Sequence, residues 1–426
     1  VHPGMMSSND FCQAPRKLLL IRKSAIALRL HSYSAENLDP SVKTMTSPSR
    51  RQFIGTSMGA LSFLPGLLQA SPILKGTRKK AFILLWLDGG MSHIDTFDGK
   101  PEAPPDIRGP LSSIESATEG VFISEHLPKI GQLMDRCSLI RSITSPEGNH
   151  DRGSHYMLTG RRLTPLLNYP SFGSYLHLDG STDDRVPPYI AIPDAHTFAR
   201  QGFLPAMRAP FELGSAPGKP GYRVRNLQPP SPLERAMTLL KAVDQLDGAP
   251  RSESEAARDA VLKQAGSLSF NPKLRELFDL TKEDGATQKR YGIGTIGQSC
   301  LLARRLIEGG VRTVLVRDKG WDHHTNILSS LTTGFPPKLP AIDHAVSALH
   351  HDLEVRGMLE DVVVLVASEF GRTPRINPSG GRDHWSRASS ALLFGAGIKE
   401  GAVVGKTDAR GEEPIENPVS PADLFY

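Results

Sequence analysis

Cysteine is nearly absent from this 426-residue chain, which holds only Cys12, Cys137 and Cys300. No CxxC pair and no cysteine–histidine spacing of a structural zinc site occurs, so a zinc-stapled module is excluded. Cys137 and Cys300 are expected as buried reduced thiols, with a single disulfide between them as the alternative. Long apolar runs are missing as well. Outside residues 52–74 no stretch approaches the roughly 20 residues of a bilayer span. A basic surplus is missing from most of the chain, despite a formal net charge of +5. Residues 1–80 hold 12 Lys/Arg against 3 Asp/Glu, which leaves 38 against 42 in the remainder, a net of −4. With no basic stripe, nucleic-acid binding is disfavoured. What is present is ordinary for a folded domain: 39% hydrophobic and 22% charged residues, a balance that excludes wholesale disorder.

The basic beginning reads as an address. Arg50-Arg51 with Phe53 and Ile54 precedes an uncharged stretch from Gln52 to Leu74. A basic region followed by an apolar one is what export machinery reads, here as a twin-arginine signal. Gly55, Gly59, Pro65 and Gly66 make the stretch a poor permanent helix, and Ala70-Ser71 offers a cleavage neighbourhood. Two alternatives stand beside this: an uncleaved anchor, or an organellar transit peptide built on Arg16, Lys17, Arg22, Lys23 and Arg29. The expected organisation is an upstream extension at 1–44, a signal at 45–75 starting from Met45, and one domain at 80–426. The destination is the periplasm or cell surface, with the twin-arginine machinery as partner and no membrane span in the mature protein.

The body alternates helix and strand. Ala81–Leu87 is apolar on both faces, as a central parallel strand requires, and stops at Asp88-Gly89-Gly90. Further strands are expected at Ser138–Ile143, Tyr189–Ile192, Val311–Val316 and Val362–Ala367, with weaker candidates at Ala391–Phe394 and Val403-Val404. Helices are expected over Ile296–Glu308, closed by Gly309-Gly310, and over Pro340–Arg356, closed by Gly357. A helical insertion at about 230–290 is expected to hold segments 233–246, 253–265 and 273–281. The resulting fold class is α/β, a mainly parallel sheet covered on both faces. Ser420–Leu424 reads as the opening of a helix, and the stop at Tyr426 as a truncation.

Polar clusters follow the strands, where ligands gather in parallel sheets. They are Asp88–Asp98, Asn149–His155, Asp318–His324 and Ser368–Thr373, the last followed by Gly381–Trp385. Oxygen and nitrogen donors from separate strand ends suit a divalent cation; Asp322, His324, Glu369 and His384 are the candidate ligands. Ser92 or Thr96 is the candidate nucleophile. Arg372 or Arg382 is the candidate for holding an anionic oxygen, with His93 and His150 as further substrate contacts. Duller roles are available to several: His93 as a helix cap or bonded to a backbone carbonyl, Asp95 and Asp98 as helix-start charges, Asp322 and His324 as a loop-shaping pair.

Five ordered motifs carry a resemblance: Trp86–Asp98, His150–Gly160, Gly297–Arg305, Gly320–His324, and Glu369–Pro374 with Gly381–Trp385. Together they resemble the bacterial family called domain of unknown function 1501, abundant in planctomycete-like genomes and commonly carrying a twin-arginine leader. The family looks like a distant branch of the alkaline phosphatase and arylsulfatase superfamily. The resemblance implies a three-layer α/β/α sandwich and a metal-assisted site, the ion being zinc, calcium or magnesium. The implied substrate is a small anionic ester or a sulfated or phosphorylated glycan. Two departures bear on the chemistry. Glu369-Phe370-Gly371 stands where those enzymes place Asp-His-Gly, which removes one imidazole, and Met91 replaces a usual proline. No Cys/Ser-x-Pro-x-Arg follows the first strand, so classical sulfatase catalysis is disfavoured; Thr46–Arg50 is the sole look-alike. Two functions are thus expected in competition: an exported metal-dependent hydrolase of phosphate or sulfate esters, and a non-catalytic exported protein that binds polysaccharide or an envelope partner.

Overall fold

A computed structural model of the chain describes residues 80–176, 186–224, 272–334 and 337–425, together with positions 238 and 242. The leader, the segment 253–265 and, apart from positions 238 and 242, the segment 233–246 lie outside the described residues.

Eight strands form the main sheet: β1 (Ala81–Asp88), β2 (Ser138–Ile143), β3 (Tyr189–Ile192), β4 (Phe211–Glu212), β5 (Thr313–Lys319), β6 (Val362–Ala367), β7 (Ser389–Gly395) and β8 (Ala402–Val404). Their order is β8-β2-β7-β6-β1-β5-β3-β4. β1 sits between two parallel partners, with Leu85 opposite Val316 on one side and Val366 on the other. That position explains its unbroken apolar run, since neither face meets water. β7 alone runs antiparallel to its neighbours β6 and β2. No crossover helix separates it from β6. The connection is a loop carrying the two-stranded pair 371–372 with 384–385, so the chain returns beside β6 in the opposite sense.

The two faces of the sheet bury different cores. Ile83, Leu85 and Leu87 pack with Leu301, Leu302, Ile342 and Leu349 from helices on one side. Phe82 and Trp86 pack with Leu315, Leu365, Met157 and Leu158 on the other. Alternation along β1 therefore divides its side chains between layers, and the architecture is a three-layer α/β/α sandwich. Three helices matter below: α1 (His150–Thr159), α2 (Thr295–Glu308) and α3 (Lys338–Val355). Asn149 caps α1 by accepting from the amides of Asp151 and Arg152, and Gly160 at φ 67° closes it.

Several boundaries move from expectation. The strand expected at Val311–Val316 begins at Thr313 and runs on to Lys319. Gly310, at φ 99°, still belongs to the turn after α2. The helix expected over 273–281 divides into Pro272–Leu277 and a 3-10 turn at Leu280–Lys282, where the Asp279 carboxylate accepts from the Thr281 amide. Pro421–Phe425 forms a 3-10 turn at the expected helical opening. Cys137 and Cys300 are buried and free, so the thiol alternative holds and the disulfide does not. Among the described residues no helix is long and apolar enough to cross a membrane.

Candidate metal centre

The site grows from the ends of β1, β5 and β6. After Asp88 the chain turns through Gly89 and Gly90, both at positive φ. A Cβ on Gly89 would stand 2.6 Å from the amide nitrogen of Asp322, so only glycine lets the two loops touch. The same turn is stitched to β6. Gly89 donates to the Glu369 carboxylate at 3.0 Å, and Gly90 and Met91 donate to the Ser368 hydroxyl at 3.1 and 2.9 Å. Arg372, fully buried, spans the loops: its Nε donates to the Gly90 carbonyl at 2.8 Å, and its Nη2 to the Gly89 carbonyl and the Asp322 carboxylate.

Three imidazoles surround Asp322. His150, first residue of α1, places Nε2 3.4 Å from Asp322 Oδ2. His384 and His324 place Nε2 3.3 and 2.9 Å from Oδ1, and these two nitrogens are 3.1 Å apart. The opposite nitrogen of each ring faces an oxygen that can only accept. His150 Nδ1 meets Glu369 at 2.8 Å, His324 Nδ1 meets Asp383 at 2.7 Å, and His384 Nδ1 meets the Gly148 carbonyl at 3.2 Å. In the neutral rings Nδ1 therefore carries the hydrogen, and three Nε2 lone pairs converge on one carboxylate. Donor atoms around a tetrahedral zinc-type ion at about 2.0–2.1 Å stand about 3.3 Å apart. The observed separations match that spacing, and the ligand atoms of His150, Asp322 and His384 all lie within 4.8 Å of one another. The residues fit a divalent cation that prefers imidazole.

The electrostatics agree with that donor set. Burial opposes the Asp322 charge, but Arg372, His324 and His150 outweigh it and hold the carboxyl at a pKa of about 2. The hydrogen bond to Glu369 raises the His150 pKa. Burial, Arg372 and His150 lower that of His384. Phe370 lies against the His150 and His384 rings, at 5.2 and 4.9 Å between centroids.

All four residues expected as ligands meet here: Asp322, His324 and His384 at the centre, and Glu369 behind His150. His150, expected as a substrate contact, stands with Asp322 and His384 in a group whose donor atoms could hold a cation. Ser92, Thr96, His93 and Arg382 are not brought to the centre; all four are buried. The Ser92 hydroxyl donates to Asp95 and the Thr96 hydroxyl to the Ser92 carbonyl at 2.6 Å. His93 Nε2 meets the Gly411 carbonyl at 2.8 Å. Arg382 pairs with Asp95 at 2.6 Å and donates to the carbonyls of Ile107, Thr373 and Pro374. Sequence reasoning gave no role to Asp383, although it sits beside His384 in a quoted motif. Next to the centre, Asp88 is paired with Arg317 at 2.5 Å, and Arg317 with Asp194 at 2.6 Å.

No curated protein matches the chain. Among solved structures the chain is similar to Ps i-CgsB, with 12% identity over 82% of this chain and 70% of that one, at a TM-score of 0.36. It is similar to the C-terminal periplasmic domain of EcEptC from Escherichia coli, a zinc complex, at 9% identity, 82% and 80% coverage and a TM-score of 0.35. The alkaline phosphatase of the Antarctic bacterium TAB5 matches at 12% identity, 77% and 94% coverage and a TM-score of 0.33. A family model described as protein of unknown function (DUF1501) matches residues 79–426. The chain belongs to the DUF1501 family.

Proposed function

We propose that this protein is a metal-dependent hydrolase of phosphate or sulfate esters, its cation held by His150, Asp322, His324 and His384. One observation carries the reading: three imidazoles with oxygen-anchored Nδ1 atoms direct Nε2 at a single carboxylate. A divalent cation there would supply Lewis acidity toward an ester oxygen and acidify a water molecule. The chain's own groups do the rest. Glu369 and Asp383 fix the tautomers and orientations of His150 and His324. Arg372, wholly buried between two backbone carbonyls and Asp322, holds the loops together and offsets the carboxylate charge. The hydroxyls of Ser92 and Thr96 are spent on internal partners, so attack falls to water and not to a side chain. The centre is open to solvent, with Asp322 and His324 each more than two-fifths exposed, which suits entry of a polar ester. Arg50-Arg51 and the uncharged stretch behind it support an exported setting.

The full burial of Arg372, which keeps its guanidinium from any substrate, favours a second reading, in which the exported protein binds polysaccharide or an envelope partner without turnover. Elemental analysis of the purified chain, paired with turnover of an aryl phosphate and an aryl sulfate, tests both. Bound metal and turnover, each lost in Asp322→Ala and His384→Ala, are the expected result. Metal without turnover on either ester selects the binding reading. No metal, with activity unchanged in the two variants, sinks the hydrolase.

A further inference from the structure

The segment that bears His324 continues past the metal centre as one strand of a ribbon. Residues 323–327 run antiparallel to 379–382: the Arg382 amide donates to the His323 carbonyl at 2.9 Å, that of Asn326 to Ser379 at 3.1 Å and that of Ile327 to Gly380 at 2.8 Å. The strands touch at Gly381, where a Cβ would stand 2.1 Å from the His324 carbonyl carbon. Asn326 follows His324 by two residues, about 7 Å along the strand. Asp322 and Asn326 are exposed and His324 is half-buried, while His323 and Arg382 are buried beneath. One solvent-facing ribbon thus leads from the candidate ligands to Asn326.

At its far end lies an open cleft of about 310 Å³, lined by Pro110, Asn326, Ile327, Leu328, Ser329 and Gly380. That volume is at the small end of ligand pockets, with room for a single ring. No charged side chain lines it, so an anionic group gains nothing there. Leu328, 48% exposed, and the exposed Pro110 form an apolar wall. The polar side is different. The Ser329 hydroxyl donates to the Asn326 carbonyl at 3.1 Å and keeps its lone pairs, and the Asn326 side-chain amide bonds no other described residue. Gly380 adds no side chain, and Asn326 Oδ1 stands 3.9 Å from where its Cβ would be. An apolar wall facing a free donor and acceptor complements a sugar ring, which has a C–H face and a hydroxylated edge. A bare alkyl chain would cover the amide without pairing it.

We propose that this cleft is the subsite for the alcohol part of the ester, that it takes an uncharged hydroxylated ring, and that Asn326 and Leu328 set the preference. The inference rests on the hydrolase reading, which supplies the reaction at the neighbouring centre.

Two variants test it. Leu328→Trp fills the cleft from an exposed position, and Asn326→Gly removes the amide at a φ of 44°, which glycine accepts. The metal-loaded full chain is assayed on glucose, galactose and mannose 6-phosphates, hexyl phosphate and ethyl phosphate, and on the matching sulfates. Wild type is expected to favour a hexose ester over the ethyl ester in kcat/KM. That ratio is expected to fall about tenfold in each variant, through KM, with metal content unchanged. An unchanged ratio, a wild-type preference for the hexyl ester, or loss of metal in both variants overturns the proposal. A wild type that turns over no ester fails the hydrolase reading instead, and the cleft is then judged by saturation-transfer NMR with the methyl glycosides of the same hexoses. Transfer that Leu328→Trp abolishes keeps the cleft as a sugar site; no transfer to any glycoside overturns it as well.

Discussion

His324 and His384 bring their Nε2 atoms to 3.1 Å while each turns Nδ1 to an oxygen, Asp383 for one and the Gly148 carbonyl for the other. Two lone pairs held face to face repel unless a proton or a cation stands between them. The arrangement is maintained from outside, by the acceptors on the far nitrogens.

Asp383→Asn tests that support. Its carboxylate is half exposed and bonds His324 Nδ1 at 2.7 Å, so the fold should tolerate the change. Orienting partners of this kind are worth roughly 10- to 100-fold in metal affinity. A competition titration against a chelator should show zinc affinity falling by about that factor, with the thermal midpoint nearly unchanged. Equal affinity in the variant would remove Asp383 from the centre.

The pair of Asp95 and Arg382 has a different character, since neither side chain is exposed at all. Arg382 ties the loop after β1 to the segment bearing His384 and to the carbonyls of Ile107, Thr373 and Pro374. Asp95→Ala leaves a buried guanidinium without its counter-charge, which costs about 3–5 kcal/mol. Urea unfolding should show a loss of that order. Glu413→Ala, which breaks a pair more than half exposed with Arg387, should lose no more than about 1 kcal/mol.

These contrasts indicate where the sequence was legible. Strands with unbroken apolar runs, such as Val362–Ala367, were found to the residue because burial on both faces leaves no alternative. The gathering of Asp322, His324, Glu369 and His384 at one end of the sheet was legible because the loops that follow parallel strands meet at their carboxyl ends. The direction of β7 was not visible, since a loop and a helix of similar length bring a strand back with opposite sense. Nor was the burial of Ser92, His93 and Arg382. All three sit in motifs as polar as the ligands, and only the partners Asp95, Gly411 and Ile107, the last two far away in sequence, show that they are internal.

Gly89 converts a legible motif into a measurable constraint. Its φ of 128° and the 2.6 Å approach to Asp322 both exclude a side chain. Gly89→Ala should destabilise by about 2 kcal/mol or more and displace Asp322 from the imidazoles, with loss of metal binding. Gly120→Ala is the control. It also has positive φ but nothing within 4 Å of an added Cβ, so it should cost about 1 kcal/mol and leave metal binding intact.

The last prediction concerns acid. His350 on α3 is buried against Phe394, with ring centroids 5.2 Å apart, and neither ring nitrogen has a hydrogen-bond partner. Burial, and after it the nearby Arg136, lowers its pKa below the ordinary 6.5. The folded protein therefore keeps the ring neutral at a pH where the unfolded chain has begun to take up a proton. Stability contributed by the neutral ring is complete above about pH 6.5 and is lost as pH falls from there toward the folded-state pKa. One such group contributes a slope of at most about 1.4 kcal/mol per pH unit in that window. His350→Leu forfeits no hydrogen bond and cannot be protonated. Its unfolding free energy, measured by urea titration between pH 7 and about pH 5, should fall less steeply than that of the wild type, while the two proteins run parallel above pH 7. Parallel curves throughout would show that the imidazole takes up its proton without unfolding the helix around it.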